Sequence, residues 1–270
     1  MVTERDEAVL LRDGIVRAER IGHILLITLN RPEARNAMTT EQAIALGEVV
    51  ELLETDPELR VGVLTGAGKA FCAGQDLKEL SDGGSVIPDV HPEWGFGGFV
   101  THPTSKPIIA AVHGFAFGGG LELALACDLI VATSGSLLGL PEVTVGLFAA
   151  GGGVPRIAQQ VPEKVAARMV LTGKPISAEE AKGWGLVNEV VADGEHVTAA
   201  LELAAQIAAN APLSVQVSKR LLRAGTWSST WTDEQWGEIA TAFEGLLATE
   251  DGVEGPLAFA EKRAPVWKGR

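Results

Sequence analysis

The chain is 270 residues long with 22 basic and 35 acidic side chains, a formal charge of -13 with histidine neutral. That balance excludes a general nucleic-acid or anionic-membrane surface, while a small anionic ligand still responds to local cations. With 46% hydrophobic and 21% charged residues it is no disordered tail, and its length suffices for one large core, or one core with an appendage.

Residues 1–7 are acidic and polar, without the charged-then-apolar pattern of a secretory signal. Later apolar runs are broken by glycine, proline or charge short of the roughly 20 residues of a membrane span. Cys72 and Cys127, the two cysteines, sit in apolar contexts that fit a reducing compartment. A cytoplasmic protein without disulfides or a membrane partner is expected.

In chain order, Ile24 to Leu29 reads as a strand, Thr40 to Glu54 as a helix and Val61 to Leu64 as a second strand. A loop follows, Lys69-Ala70-Phe71-Cys72-Ala73-Gly74-Gln75-Asp76-Leu77. Gly74 lacks a β-carbon and can take backbone angles denied to other residues, which is expected to leave the Ala73 amide free to face a ligand. Asp76 suits a helix N-terminus. From Ser81 to Lys106 the chain is rich in Gly and Pro, with Trp94, Phe96 and Phe99 interspersed, which local sequence reads as loop anchors.

Ile108 to Val112 is a buried strand ending in a turn at Gly114, and Gly118-Gly119-Gly120 leads into a helix from Leu121 to Cys127. At such a strand-to-helix junction the first amides are unpaired and the helix dipole favours developing negative charge, so it can form half of an oxyanion hole. Glu122 follows the three glycines, and twenty positions on Glu142 follows Pro141. Paired carboxylates held near apolar surroundings do proton chemistry. Local sequence leaves a plainer alternative open for each: a helix-surface charge for Glu122, a loop carboxylate for Glu142.

Strands at Leu129 to Ala132 and Val187 to Val191 alternate with helices at Lys164 to Leu171 and Ala178 to Trp184, which predicts a layered α/β body. From His196 onward the pattern turns helical, at Ala199 to Asn210, Leu213 to Ala224, Asp233 to Thr249 and Glu254 to Lys262. Trp227, Trp231 and Trp236 in this stretch are read as packing or interface residues.

Other chemistries find little support. Gly151-Gly152-Gly153-Val154-Pro155-Arg156 lacks the last glycine of a dinucleotide loop and carries a proline where a helix should begin, while Gly68-Lys69 lacks the Ser or Thr of a phosphate loop. The histidines and cysteines show no metal-ligand spacing, so no metal is expected.

Taken together, the loop from Lys69 to Leu77, Ala111-Val112-His113-Gly114 through Cys127-Asp128, Pro141-Glu142 with Gly146, Leu171-Thr172-Gly173 and Gly185-Leu186-Val187 resemble the crotonase, or enoyl-CoA hydratase/isomerase, superfamily. Leu29-Asn30-Arg31-Pro32 with Asn36-Ala37, and Phe259 to Arg263, extend the likeness from about residue 15 to the last residues. The resemblance implies a right-handed spiral of β-β-α units over residues 1–195, and a helical region over 196–270 that serves trimerisation and covers the active site. A homotrimer or a dimer of trimers is implied.

It also implies roles. Glu122 orients and deprotonates a water, Glu142 exchanges the proton at the α-carbon, and the amides of Ala73 and Gly119 grip the thioester oxygen of an acyl-CoA. The CoA moiety is expected near Arg31, Arg35 and Ala37, near Lys69, Gln75, Asp76 and Leu77 of the loop, and near Gly118. Phe259 and Lys262 match residues that reach the CoA of a neighbouring subunit. CoA is part of the substrate and no separate cofactor is implied.

Three places depart from the commonest hydratase pattern: Leu147-Phe148-Ala149-Ala150 beside Glu142, Gln75 next to the oxyanion loop, and the stretch from Ser81 to Lys106. The expected activity is hydration of a trans-2-enoyl-CoA. The alternatives are a Δ3-Δ2 enoyl-CoA isomerase working through Glu142, a hydro-lyase of the carnitinyl-CoA dehydratase branch, or a noncatalytic acyl-CoA binder.

Overall fold

A computed structural model gives the fold and describes residues 9–224, 241 and 243–270. The tryptophans at 227, 231 and 236 lie outside the described residues, as does part of the helix expected from Asp233. The large sheet has seven strands, labelled in chain order β1 (Val9–Leu11), β2 (Val16–Ile21), β3 (Ile24–Leu29), β4 (Val61–Gly66), β5 (Ile108–Val112), β7 (Leu129–Thr133) and β10 (Glu189–Val191). The pairings β1 with β2 and β2 with β3 are antiparallel, and every later pairing is parallel.

Strand residues alternate between two cores because successive side chains point to opposite faces. Leu25, Ile27 and Leu29 of β3 and Ile108, Ala110 and Val112 of β5 face one core, which also takes Leu46, Val49, Val50 and Leu53 of helix α1 (Thr40–Thr55). Ile24 and Leu26, Val61 and Val63, and Ile109 and Ala111 face the other. There Ala200, Ala204 and Ala208 of α7 (His196–Ala208) form a small-residue stripe that lets the helix lie close on the sheet. The helix that opens the expected C-terminal region therefore covers the second face of the sheet.

A small sheet lies beside the large one: β6 (Phe115–Phe117) pairs in parallel with β8 (Leu137–Gly139), which pairs antiparallel with β9 (Ile176–Ser177). Single parallel bridges from Met38 to Gln75 and from Cys72 to Ala116 continue its pattern to earlier turns of the chain. Each turn thus runs from a long strand to a short one and then to a helix, the crotonase-like spiral of β-β-α units. The turn is forced between β5 and β6, where Gly114 has φ +61 and an added β-carbon would lie 2.1 Å from the Lys69 carbonyl.

The remaining helices are α2 (Leu77–Ser81), α3 (Gly119–Ala126), α4 (Gly153–Gln160), α5 (Glu163–Thr172), α6 (Ala178–Gly183), α8 (Pro212–Ala224) and α9 (Glu250–Glu261). Two features escape the sequence pattern. The β1-β2 hairpin turns through three residues of positive φ, Arg12, Asp13 and Gly14, and a helix does begin at Gly153 despite Pro155. Proline in the first helical turn gives up an amide that has no helical acceptor, so it costs nothing there. No described helix is long and apolar enough to cross a membrane.

Asn36 fastens the early turns to one another. It is fully buried with φ +56, its side-chain oxygen accepts the Arg31 amide at 2.9 Å, and its Nδ2 lies 2.9 and 2.8 Å from the carbonyls of Ala67 and Ala70. Replacing it by Ala strands these buried groups and leaves a left-handed backbone without its local support. A loss of about 2–4 kcal/mol in urea unfolding is expected, and a change under about 0.5 kcal/mol, the usual effect at an uninvolved surface site, would contradict this role.

Candidate active site

The loop after β4 returns along the small sheet. Phe71 donates to the His113 carbonyl at 2.9 Å, and Phe117 donates to the Cys72 carbonyl at 3.0 Å. Ala73 then donates its amide to the Arg35 carbonyl at 3.0 Å, so the expectation that this amide faces a ligand is corrected. The positive φ of Gly74, +98, turns the Gly74–Gln75 peptide, which carries the Gln75 amide, relative to the chain before it. Met38 donates to the Gly74 carbonyl and Asp76 donates to the Met38 carbonyl. Between Ala73 and Asp76 the amide of Gln75 alone has no acceptor among the described residues.

A second open amide meets it. Gly118, with φ +55 and ψ -128, ends the small-strand turn and caps α3, and its carbonyl accepts from the Glu122 amide at 3.0 Å. Gly119 is the first residue of α3, and its amide has no acceptor among the described residues. A β-carbon on Gly74 would lie 3.1 Å from the Gly119 nitrogen and 2.9 Å from the Phe117 carbonyl. The two turns are therefore in contact, with one open N–H from each, and the positive end of α3 behind them.

Glu122 lies one helical turn into α3 and is 2% exposed. Its Oε1 accepts the Gly153 amide at 2.8 Å. A β-carbon on Gly151 would come within 2.7 Å of Oε2 and one on Gly153 within 2.9 Å of Oε1, so glycines at these positions are what makes room for the carboxylate. Burial pushes Glu122 up to about 7, and the charge of Glu142 adds to the rise; the amides of Gly153 and Gly151 and the charge of Arg156 oppose it. Burial outweighs its partners because removing a carboxylate from water costs more than one or two amides return.

Glu142 opens the short 3₁₀ turn Glu142–Val145 after Pro141. It is half-buried, and burial again raises its carboxyl above the ordinary range. Its Oε2 is buried with no hydrogen-bond partner, while Oε1 sits 3.2 Å from where a Gly118 β-carbon would stand. Both acids thus border the turn that carries the open Gly119 amide, and Glu122 feels the charge of Glu142.

The aromatic residues of the 81–106 stretch sort by structure. Phe96 is buried against the backbone of Gly119 and Gly151: a β-carbon on Gly119 would fall 2.1 Å from its ring, and one on Gly151 2.9 Å from its own β-carbon. It walls the space between the open amide and the Glu122 cradle. Trp94 stacks between His91 and His102, with centroids at 3.9 and 4.5 Å, and packs on Gly47 of α1, which makes it a loop anchor.

Of the residues expected near CoA, Arg31 and Asp76 hold one another, Nη2 to Oδ2 at 3.3 Å, and Arg31 also donates to the Ala37 carbonyl. Asp76 caps α2 through the amides of Lys78 and Glu79. These contacts, with the Met38 to Gln75 bridge, bring segments 31–38 and 69–77 together. Arg35, Lys69 and Leu77 are exposed on that side, and Ala37 is half-buried. Phe259 lies in α9 with its side chain outside the described residues, and Lys262 is exposed just beyond the helix. Sequence reasoning missed Gln75 as the open amide, the Gly151 to Gly153 cradle and Arg156. The run of three glycines was the one local signal for the cradle. Among the described residues no group of three or more His, Cys, Asp or Glu is placed to hold a metal ion.

Residues 19–270 match the family described as enoyl-CoA hydratase/isomerase. A carnitinyl-CoA dehydratase of Escherichia coli strain K12 is 44% identical over 257 residues, 93% of this chain and 97% of that protein. Among solved structures, a carnitinyl-CoA hydratase from Mycobacterium avium is 52% identical with a TM-score of 0.75, covering 94% of this chain and 98% of that one. An enoyl-CoA hydratase from Mycobacterium marinum is 42% identical with a TM-score of 0.89, covering 94% and 99%. Sequence and structure agree over nearly the whole length: the chain belongs to the enoyl-CoA hydratase/isomerase family and is an enzyme of the hydro-lyase kind.

Proposed function

We propose that the enzyme adds water reversibly across the double bond of a 2-enoyl thioester of coenzyme A. The observation that carries this reading is the buried, unpartnered carboxyl oxygen of Glu142 beside a turn that also presents the open amide of Gly119, with Glu122 one helical turn away. The thioester oxygen accepts from the Gln75 and Gly119 amides, which draws electron density from C3. Glu122, as carboxylate, takes a proton from the water whose oxygen bonds to C3. Glu142, as neutral acid, delivers a proton to C2 as the enolate collapses. The proton then returns from Glu122 to Glu142 through solvent, and dehydration follows the same steps in reverse.

Preformed donors stabilise the enolate oxygen without reorganising, which is commonly the largest electrostatic contribution at such a site. The raised carboxyl of Glu142 keeps more of it in the donating form, while Glu122 near 7 is divided between base and acid at neutral pH, serving either direction.

The test is Glu142→Gln, assayed by loss of the conjugated-thioester absorbance of crotonyl-CoA. A fall of about 100- to 10,000-fold in kcat/KM is expected, and retention within tenfold sinks the scheme. A second reading of the acyl group is favoured by the 44% and 52% identity to proteins named for carnitinyl-CoA. There the acyl chain ends in a trimethylammonium group. Parallel assays with crotonyl-CoA and its 4-trimethylammonio analogue separate the two, the preferred substrate being the one with the higher kcat/KM.

A further inference from the structure

We infer that Arg156 is a positioning residue for Glu122, tying the glycine cradle around that carboxylate to the segment that carries Phe96. This rests on the hydration scheme above. Arg156 lies on the first turn of α4 and is half-buried. One guanidinium nitrogen donates to the Gly151 carbonyl at 3.0 Å and the other to the Val100 carbonyl, both charge-assisted bonds. Its own amide donates to the Gly152 carbonyl at 3.1 Å.

Each anchored group leads to the site. Gly151 and Gly153 enclose the Glu122 carboxylate, and Gly153 supplies its 2.8 Å hydrogen bond. Val100 donates to the Phe96 carbonyl, and Phe96 lies on both Gly119 and Gly151. Gly152, between the two cradle residues, has φ +95, and a β-carbon there would lie 2.1 Å from the Arg156 guanidinium. The cradle is therefore shaped around this side chain as well as around Glu122.

Arg156 has no carboxylate within ion-pair distance among the described residues, unlike Arg31 or Arg223. Its charge is spent on two carbonyls and, through space, on Glu122. The charged groups facing Glu122 are Glu142 from the 3₁₀ turn and Arg156 from α4. Burial pulls the Arg156 guanidinium below its ordinary value, and the like charge of Arg223 on α8 adds to this while Glu122 opposes it. The arrangement gives Arg156 two effects on one carboxylate. The fork fixes where Glu122 sits, and the charge favours its ionised, proton-accepting form.

The experiment compares wild type, Arg156→Gln and Arg156→Lys in hydration of crotonyl-CoA from pH 5 to 9, fitting kcat, KM and the acid limb of kcat/KM. For Gln, kcat is expected to fall about 10- to 100-fold, the scale of a small misplacement of a catalytic group, with KM changed less than threefold. The acid limb moves upward in pH because the neutral form of Glu122 is no longer opposed by the cation. Lysine restores the limb but only part of kcat, since a point charge cannot bond both carbonyls in the fork geometry. If the Gln variant does not fold, the Lys variant decides alone: a kcat reduced threefold or more upholds the inference, and a smaller reduction overturns it. In a folded Gln variant, a kcat within threefold of wild type or an unmoved acid limb overturns it likewise. Should Glu122→Gln leave hydration intact, the hydration scheme itself fails, a distinct result from an inactive Glu122→Gln beside an unaffected Arg156 variant.

Discussion

Glu122→Gln is expected to lower kcat/KM for enoyl-CoA hydration by about 1,000-fold or more while making the unliganded protein more stable at neutral pH. General acid–base catalysis contributes roughly 100- to 10,000-fold, and a buried acid with a hydrogen-bonded cradle belongs at the upper end. Gln keeps the shape and still accepts the Gly153 amide, so the loss isolates the proton-transfer role. The stability gain follows from the same burial. The folded protein holds this carboxyl at about 7 against an ordinary 4.5, so the native state binds more protons than the unfolded chain between those values. Stability from this group is intact below pH 4.5, declines as pH rises, and above 7 is lower by about 3 kcal/mol. Removing the charge recovers that loss. Urea unfolding at pH 5 and pH 8 checks it: the variant should exceed wild type clearly at pH 8 and by much less at pH 5. Equal stability at both pH values would mean that the carboxylate is not held against its own desolvation.

Gly74→Ala is expected to cost about 100- to 1,000-fold in kcat/KM, the effect of losing an oxyanion donor. The added methyl would lie 3.1 Å from the Gly119 nitrogen and 2.9 Å from the Phe117 carbonyl, between the two open amides, where the thioester oxygen would sit. Strain alone cannot account for such a loss if Gly83→Ala is the control. Gly83 has a comparable positive φ, +87, but open space around its missing β-carbon. Both variants should lose about 1–3 kcal/mol through left-handed backbone, and only Gly74→Ala should lose activity beyond tenfold. If the two behave alike in kcat/KM, the contact between the turns is not the oxyanion hole.

Much of the frame was legible in the chain. The strands at β3 and β5 match the sequence reading residue for residue, because short, continuous apolar runs rich in β-branched residues and bounded by turn residues mark buried strands from local sequence. Glu122 behind three glycines and Glu142 behind a proline were equally visible, since backbone-distorting residues mark junctions locally. Gln75 was not. Gly74 shows that some nearby amide is turned outward, but which one depends on the carbonyl of Arg35, nearly forty positions earlier, having captured the Ala73 amide. Pro155 misled for a related reason: as a local breaker it argues against a helix, and only its place in the first turn makes it harmless.

What the sequence by itself determined was the alternation of strands with helices, the glycine turns at Gly74 and Gly118 to Gly120, and the two acids in their apolar surroundings. Those follow from side-chain volume, branching and the missing β-carbon, properties each residue carries wherever it stands. The tertiary structure alone decided which amide remained open, which aromatic ring reached the site, that Arg31 and Asp76 would hold each other, and that Glu122 would be buried in a cradle made some thirty residues later. Hydrogen-bond partnership and desolvation are set by groups distant in the chain, and they come into being only when the spiral closes and brings those groups within about 3 Å of one another.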